Sequence, residues 1–201
     1  MIIKNALIYT ENHRFEKKDV RIRNERITEI AENGQFTDSD ENVIDGEGLY
    51  AIPGLVDIHF HGAVGHDFCQ ASKEELLKIA EYEAANGVLA ICPATMSYNE
   101  EILGKVMDKA ADYNEESGAD LVGINMEGPF IDLKKAGAQN PEYIMPADKE
   151  MFLSLQERSG GLIKLVDIAP EEKGAMDFIE QCHEQVKISI AHTCCNYETA
   201  C

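Results

Sequence analysis

Two imidazoles spaced two residues apart, in Leu55-Val56-Asp57-Ile58-His59-Phe60-His61-Gly62, have the clearest capacity for chemistry in this chain. Side chains alternate faces along a strand, so a strand here puts Asp57, His59 and His61 on one face and Val56, Ile58 and Phe60 on the other. Pro53-Gly54 before it and Gly62 after it predict a short buried strand that delivers its histidines at the C-terminal tip. A lone strand-end His is ordinarily a hydrogen-bonded polar residue. Asp-x-His-x-His after a Pro-Gly turn favours a metal site, for one ion or a pair. Glu127, in Glu127-Gly128-Pro129-Phe130, and His192, in Ser189-Ile190-Ala191-His192-Thr193, fall at two more strand ends, where each offers a ligand of the type zinc accepts. A divalent ion lowers the pKa of bound water from about 15.7 towards about 7, which suits hydrolysis of an amide or ester. Such attack needs a general base. Asp167 lies within a strand and Asp57 deeper in the first, so neither is well placed. His13 in a charged turn, His66 in a loop and His183 on a helix read as background.

The elements that must position these ligands follow from the pattern of apolar residues. Residues 1–52 read as hairpins: Ile2, Ile3, Leu7 and Ile8 begin a strand, Val20 and Ile22 alternate with charges, and Asn24-Glu25 makes a turn before Ile27 and Ile30. A polar stretch from Asn33 to Asn42 leads to Val43-Ile44-Asp45-Gly46. From residue 53 strands and helices alternate. Ser72 with Glu75 forms a capping box for a helix that stops at Gly87, and Ser97 with Glu100 predicts a second box. Strands are expected over 88–92, 121–126, 163–168 and 186–191, with helices between them and the start of another after Asn196. Near-continuous apolar strands separated by amphipathic helices predict a parallel α/β sheet covered on both faces. Right-handed crossovers allow either an open doubly wound sheet or a closed barrel. In a barrel all the strand ends that carry the candidate ligands open on one face.

The 201 residues carry 37 acids against 18 bases, a net charge of −19, which excludes binding to nucleic acid or an anionic membrane. There is no run of 18 apolar residues and no leader-like start, so the expected location is cytoplasmic. Six cysteines without a C-x-x-C pair read there as reduced thiols.

Pro53 to Gly62 resembles the first-strand motif of the amidohydrolase superfamily. Met126-Glu127-Gly128-Pro129-Phe130, Lys135-Ala136-Gly137-Ala138-Gln139, Ala169-Pro170-Glu171 and Ala191-His192-Thr193 together resemble the N-acetylglucosamine-6-phosphate deacetylase family. The resemblance implies a partial (β/α)8 TIM-type barrel, its first five strands, over residues 53–201, and part of a small β-sandwich over residues 1–52. It implies zinc or iron, one ion or two, with Glu127 and His192 on the principal metal and His59 and His61 on a second. Ala138, Gln139 and Gly62 would line the substrate pocket, and the substrate would be a small amino-sugar phosphate. The full-length family enzyme would be a homodimer. Family members are nearly twice as long, so the general-base Asp is expected beyond Cys201 and the chain by itself is expected to be inactive. Two other readings stand beside this one: a cyclic-amide hydrolase of the same superfamily, and an inactive barrel fragment acting as a binding scaffold.

Overall fold

A computed structural model describes residues 1–24, 26–36, 42–115 and 117–201. Glu25 of the expected turn and residues 37–41 of the polar stretch lie outside the described residues. The chain divides into two compact units, Met1–Pro53 and Gly54–Cys201.

In the first unit β1 (Ile2–Tyr9), β2 (Phe15–Arg23) and β3 (Arg26–Glu32) form an antiparallel meander, and β4 (Val43–Asp45) and β5 (Tyr50–Ala51) pair with β1 in parallel. Alternation buries Ile2, Ala6, Ile8 and Val20 and leaves Ile27, Ile30, Val43 and Ile44 exposed. The register slips between Ile3 and Ala6, where Asn5 takes φ 61°. Asp19 of β2, 0% exposed, holds this bulge by accepting from the backbone N–H groups of Asn5 (3.1 Å) and Gly34 (2.9 Å).

The second unit runs β6 (Leu55–Asp57), the short hairpin β7 (Gly62–Ala63) and β8 (His66–Asp67), α1 (Lys73–Ala85), β9 (Val88–Ile91), α2 (Glu100–Ala111), β10 (Asp120–Leu121), β11 (Ile124–Glu127), α3 (Lys149–Arg158), β12 (Ile163–Ile168), α4 (Ala175–Cys182), β13 (Lys187–Ile190) and α5 (Tyr197–Ala200). Two parallel sheets, β6-β9-β10 and β11-β12-β13, are joined by a bridge between Ala94 and Asn125. The single strand expected over 121–126 is therefore split at Val122-Gly123: its first part pairs with β9 and its second with β12. Strand order follows chain order throughout. A doubly wound sheet reverses that order at a switch point, and among the described strands of these two parallel sheets no reversal occurs. The core gathers Ile124, Met126, Ile163, Val166 and Ile168 from the strands and Leu103, Met107, Phe152, Leu155 and Phe178 from the helices. Phe178 stacks at 5.4 Å between centroids against both Phe130 and Phe152.

Two local expectations need correction. The first strand stops at Asp57, because Asp57 Oδ1 accepts from the His59 backbone N–H at 3.0 Å and turns the chain out of the ladder. Nor is the strand buried: among the described residues β6 pairs with β9 alone, and Leu55 and Val56 are 51% and 58% exposed. At α1 the Ser72–Glu75 box forms as expected, but α2 is capped by Asn99, whose Oδ1 accepts from Ile102 N–H at 3.0 Å. Ser97 is buried instead, and its backbone N–H is committed elsewhere. Among the described residues no helix is long and apolar enough to cross a membrane.

Candidate metal centre

Glu127 is the last residue of β11 and is buried, yet three imidazoles from two distant segments close around its carboxylate. His192 Nε2 lies 2.8 Å from Oε1, His61 Nε2 lies 3.0 Å from Oε2, and His59 Nε2 lies 3.7 Å from Oε1. His59 and His61 leave the tip of β6 side by side, their rings 5.4 Å apart and nearly perpendicular. One donor atom each from His59, His61 and Glu127 lies within 4.8 Å of the others, a spacing that a single cation can span. One carboxylate and several nitrogen donors in a half-buried setting is the donor chemistry a divalent transition metal takes, so the residues fit such an ion.

Each imidazole is aimed by its other nitrogen. His192 Nδ1 lies 2.7 Å from the Lys135 carbonyl and His61 Nδ1 lies 3.2 Å from the Ala94 carbonyl. Donation of Nδ1–H to a carbonyl turns Nε2 towards Glu127, the arrangement that metal-ligating histidines use. Without an ion, an Nε2 that faces a carboxylate is favoured with its proton on. The hydrogen bond to Glu127 raises the pKa of His61 against the opposing effect of burial. Burial acts in the same direction on His192, and the Lys135 carbonyl and Glu127 outweigh it to leave that pKa raised as well. Burial would lift Glu127, but donation from His61 and His192 prevails and brings it down to about 2.

His59 is held differently. Its Nδ1 lies 3.0 Å from Asn125 Nδ2 and 3.8 Å from Asp167 Oδ2, both on buried strand positions. Burial raises the pKa of Asp167, the Glu127 charge adds to the rise, and the Ser189 side chain opposes it. Neither Asn125 nor Asp167 was marked by the spacing of motifs. The signal that finds Asp167 is register: Glu127, Asp167 and Ser189 are direct partners across β11, β12 and β13, which puts them on one face.

His192 sits in the left-handed region, φ 47°, and its neighbours pin it there. Asp132 N–H donates to the His192 carbonyl at 3.0 Å, Thr193 Oγ1 donates to Glu171 Oε2 at 2.5 Å, and the Cys194 N–H donates to Glu171 Oε1. Asp132, Glu171 and Cys194 also offer ligand atoms within 4.8 Å of one another, but the Asp132 carboxylate accepts from Lys134 N–H and that of Glu171 fastens this segment. The remaining histidines have local partners: His66 with Glu75, His13 with Tyr9, and His183 with the carbonyls of its own helix.

The residues expected to line a pocket separate into three settings. Gly62 lies in β7, where a Cβ would come within 2.0 Å of the His66 carbonyl oxygen. Ala138 is exposed, beside Gly137, whose Cα faces His192. Gln139 is only 4% exposed and bridges Ser97 N–H (2.6 Å) to Glu127 Oε2 (3.0 Å).

No family model matches the chain. Among curated proteins it is similar to the N-acetylglucosamine-6-phosphate deacetylase of Bacillus subtilis, 32% identical over 199 residues, which cover 96% of this chain and 50% of that protein. Among solved structures, the crystal structure of N-acetylglucosamine-6-phosphate deacetylase from Pasteurella multocida superposes with a TM-score of 0.88 at 22% identity, over 99% of this chain and 52% of that one. A Mycobacterium smegmatis enzyme of the same name, solved as a variant in complex with N-acetyl-D-glucosamine-6-phosphate, superposes at 0.87 with 22% identity, over 99% and 51%. The chain thus spans about half the length of the curated relatives it matches.

Proposed function

We propose that this chain supplies the metal-binding half of an N-acetylglucosamine-6-phosphate deacetylase, an enzyme that hydrolyses the acetamide of the sugar phosphate to glucosamine 6-phosphate and acetate. The observation that carries the reading is the convergence on buried Glu127 of His59 and His61 from the tip of β6 and His192 from the end of β13. The consecutive parallel strand order supports a partial (β/α)8 barrel over residues 53–201, since right-handed crossovers between sequential neighbours put every helix on one face. The hairpins of residues 1–52 then belong to a small β-sandwich. Six free cysteines, three of them buried, support a cytoplasmic, reducing setting.

Glu127, His192, His59 and His61 would hold one or two zinc or iron ions. A divalent metal, when bound, supplies Lewis acidity towards the acetyl carbonyl and an activated water at neutral pH. The chain's own residues aim the donors: the Lys135 and Ala94 carbonyls set the two imidazoles, and the pinned segment after β13 keeps His192 in its left-handed turn. Gly62, Ala138 and Gln139 remain proposed substrate contacts. Among the described residues the carboxylates that face the His59 ring are Glu127, a proposed ligand, and Asp167, which is buried. Neither is free to carry a proton from water to the leaving amine, so the 201 residues alone are expected to give no turnover. The cyclic-amide alternative calls for a lysine among the ligands. Lys164 is at the opposite end of β12, donating to the Gly161 carbonyl at 2.7 Å, which favours the deacetylase.

Metal analysis after dialysis against zinc tests the centre. Bound zinc in the unsubstituted chain, lost in Glu127→Ala and reduced in His59→Ala, is the expected result. A chain that retains no zinc or iron sinks the reading and favours the scaffold.

A further inference from the structure

We infer that Gln139 is a positioning residue that orients the Glu127 carboxylate, and that the backbone of Ser97 sets the direction of its amide. The inference rests on the metal centre proposed above and concerns how one of its ligands is held. A primary amide has an acceptor end and a donor end. Ser97 N–H approaches one end of the Gln139 amide at 2.6 Å, and Glu127 Oε2 approaches the other at 3.0 Å. Only one orientation satisfies both, with Oε1 on the N–H and Nε2 on the carboxylate. The reverse would oppose N–H to N–H and oxygen to anionic oxygen. All three residues are buried, so a misdirected amide has no water with which to compensate.

The neighbouring backbone keeps this relay short. Gly128 follows Glu127 with φ 72°, and a Cβ there would lie 2.1 Å from Ser97 Oγ, so only glycine lets the Ser97 segment pack against the tip of β11. The capping of α2 by Asn99 leaves Ser97 N–H available for the relay.

The consequence for the centre follows from counting donors. His61 Nε2 and Gln139 Nε2 both lie 3.0 Å from Oε2, and His192 Nε2 lies 2.8 Å from Oε1. An imidazole nitrogen that ligates a cation no longer donates to a carboxylate. Gln139 is then the side chain that still occupies Oε2, which leaves Oε1 as the oxygen available to a cation. The amide brings no charge to this contact, whereas a lysine or arginine in its place would compete with a cation for the carboxylate. A glutamine that served only the substrate would not have both ends of its amide engaged by protein.

Cobalt(II) titration of the unsubstituted chain and of Gln139→Met, followed by its visible absorption, tests the inference. Loss of an outer contact of this kind lowers metal affinity by about 10- to 100-fold. The expected result is a loss in that range for Gln139→Met, with a changed cobalt spectrum, because a freed carboxylate alters the ligand field. Equal affinity and an unchanged spectrum overturn the positioning role while the centre itself stands. Failure of the unsubstituted chain to bind cobalt overturns the centre, and the inference with it. Should Gln139→Met lose its native near-ultraviolet circular dichroism, Gln139→Glu decides. That variant keeps the volume and the acceptor for Ser97 but sets a carboxylate against Glu127, so a native-like affinity in it overturns the inference as well.

Discussion

The two units reach order by different means. Gly54–Cys201 is built round one extensive apolar cluster in which Phe130, Phe152 and Phe178 lock the strands to their helices. Among its described residues Met1–Pro53 has two small clusters, Ile2 with Ala31 and Phe36, and Ala6 with Ile8 and Val20. Its most buried feature is charged: Asp19, fastened to Asn5, Asn33 and Gly34. Ile3, Ile22, Ile27, Ile30 and Ile52 line an open apolar cavity of about 130 Å³ in this same unit. A centre whose donor atoms must be held to within a few tenths of an ångström needs the first kind of scaffold, because side chains locked by packing keep their rotamers. Hairpins joined by backbone ladders and a polar hub keep their shape but offer few such locks.

Substitutions can break or sharpen that contrast. Phe152→Ala should have the largest effect, a loss of about 3–5 kcal/mol in denaturant unfolding, since it empties the middle of the larger core. A loss below about 1 kcal/mol would mean that the unit does not depend on its core as described. Glu127→Ala should lower cobalt affinity by more than about 100-fold, beyond what removal of an outer contact costs, with the far-ultraviolet circular dichroism retained. Collapse of the fold instead would make Glu127 a structural residue of the second unit.

Asp19→Ala should cost about 1–3 kcal/mol through the buried donors it leaves unsatisfied. The loss should appear as faster amide exchange in β1 and β2, with cobalt affinity unchanged because every proposed ligand lies in the second unit. Slowed or unaltered exchange there would remove the polar hub from its place in the comparison. Asn99→Ala should have the smallest effect, about 1 kcal/mol, from loss of the cap of α2. If Ser97→Ala destabilised α2 more than Asn99→Ala did, the cap would have been misassigned.

Much of the candidate site is legible in the sequence, because ligand chemistry survives errors in secondary structure. Strand alternation puts His59 and His61 on one face, yet Asp57 ends the strand before either is reached. They still meet Glu127, since the turn that Asp57 caps sends both rings to the same side. The helix cap shows the opposite case. Ser97 with Glu100 and Asn99 with Ile102 are equally good local pairings on paper, and the choice fell to Gln139, 42 residues away, which takes Ser97 N–H. Asp167 was visible as a residue, but its nearness to His59 depends on two registers across three strands.

By itself the sequence determined the alternation of strands and helices from residue 53, the acidic character of the chain, and the four residues proposed as metal ligands, because periodicity, charge and donor chemistry are properties of side chains in order. Tertiary structure decided the rest: the sequential strand order, the burial of Glu127, the carbonyls that aim the imidazoles and the amide that holds the carboxylate. Those are relations between groups dozens of residues apart, and they exist only once the strands have been laid side by side.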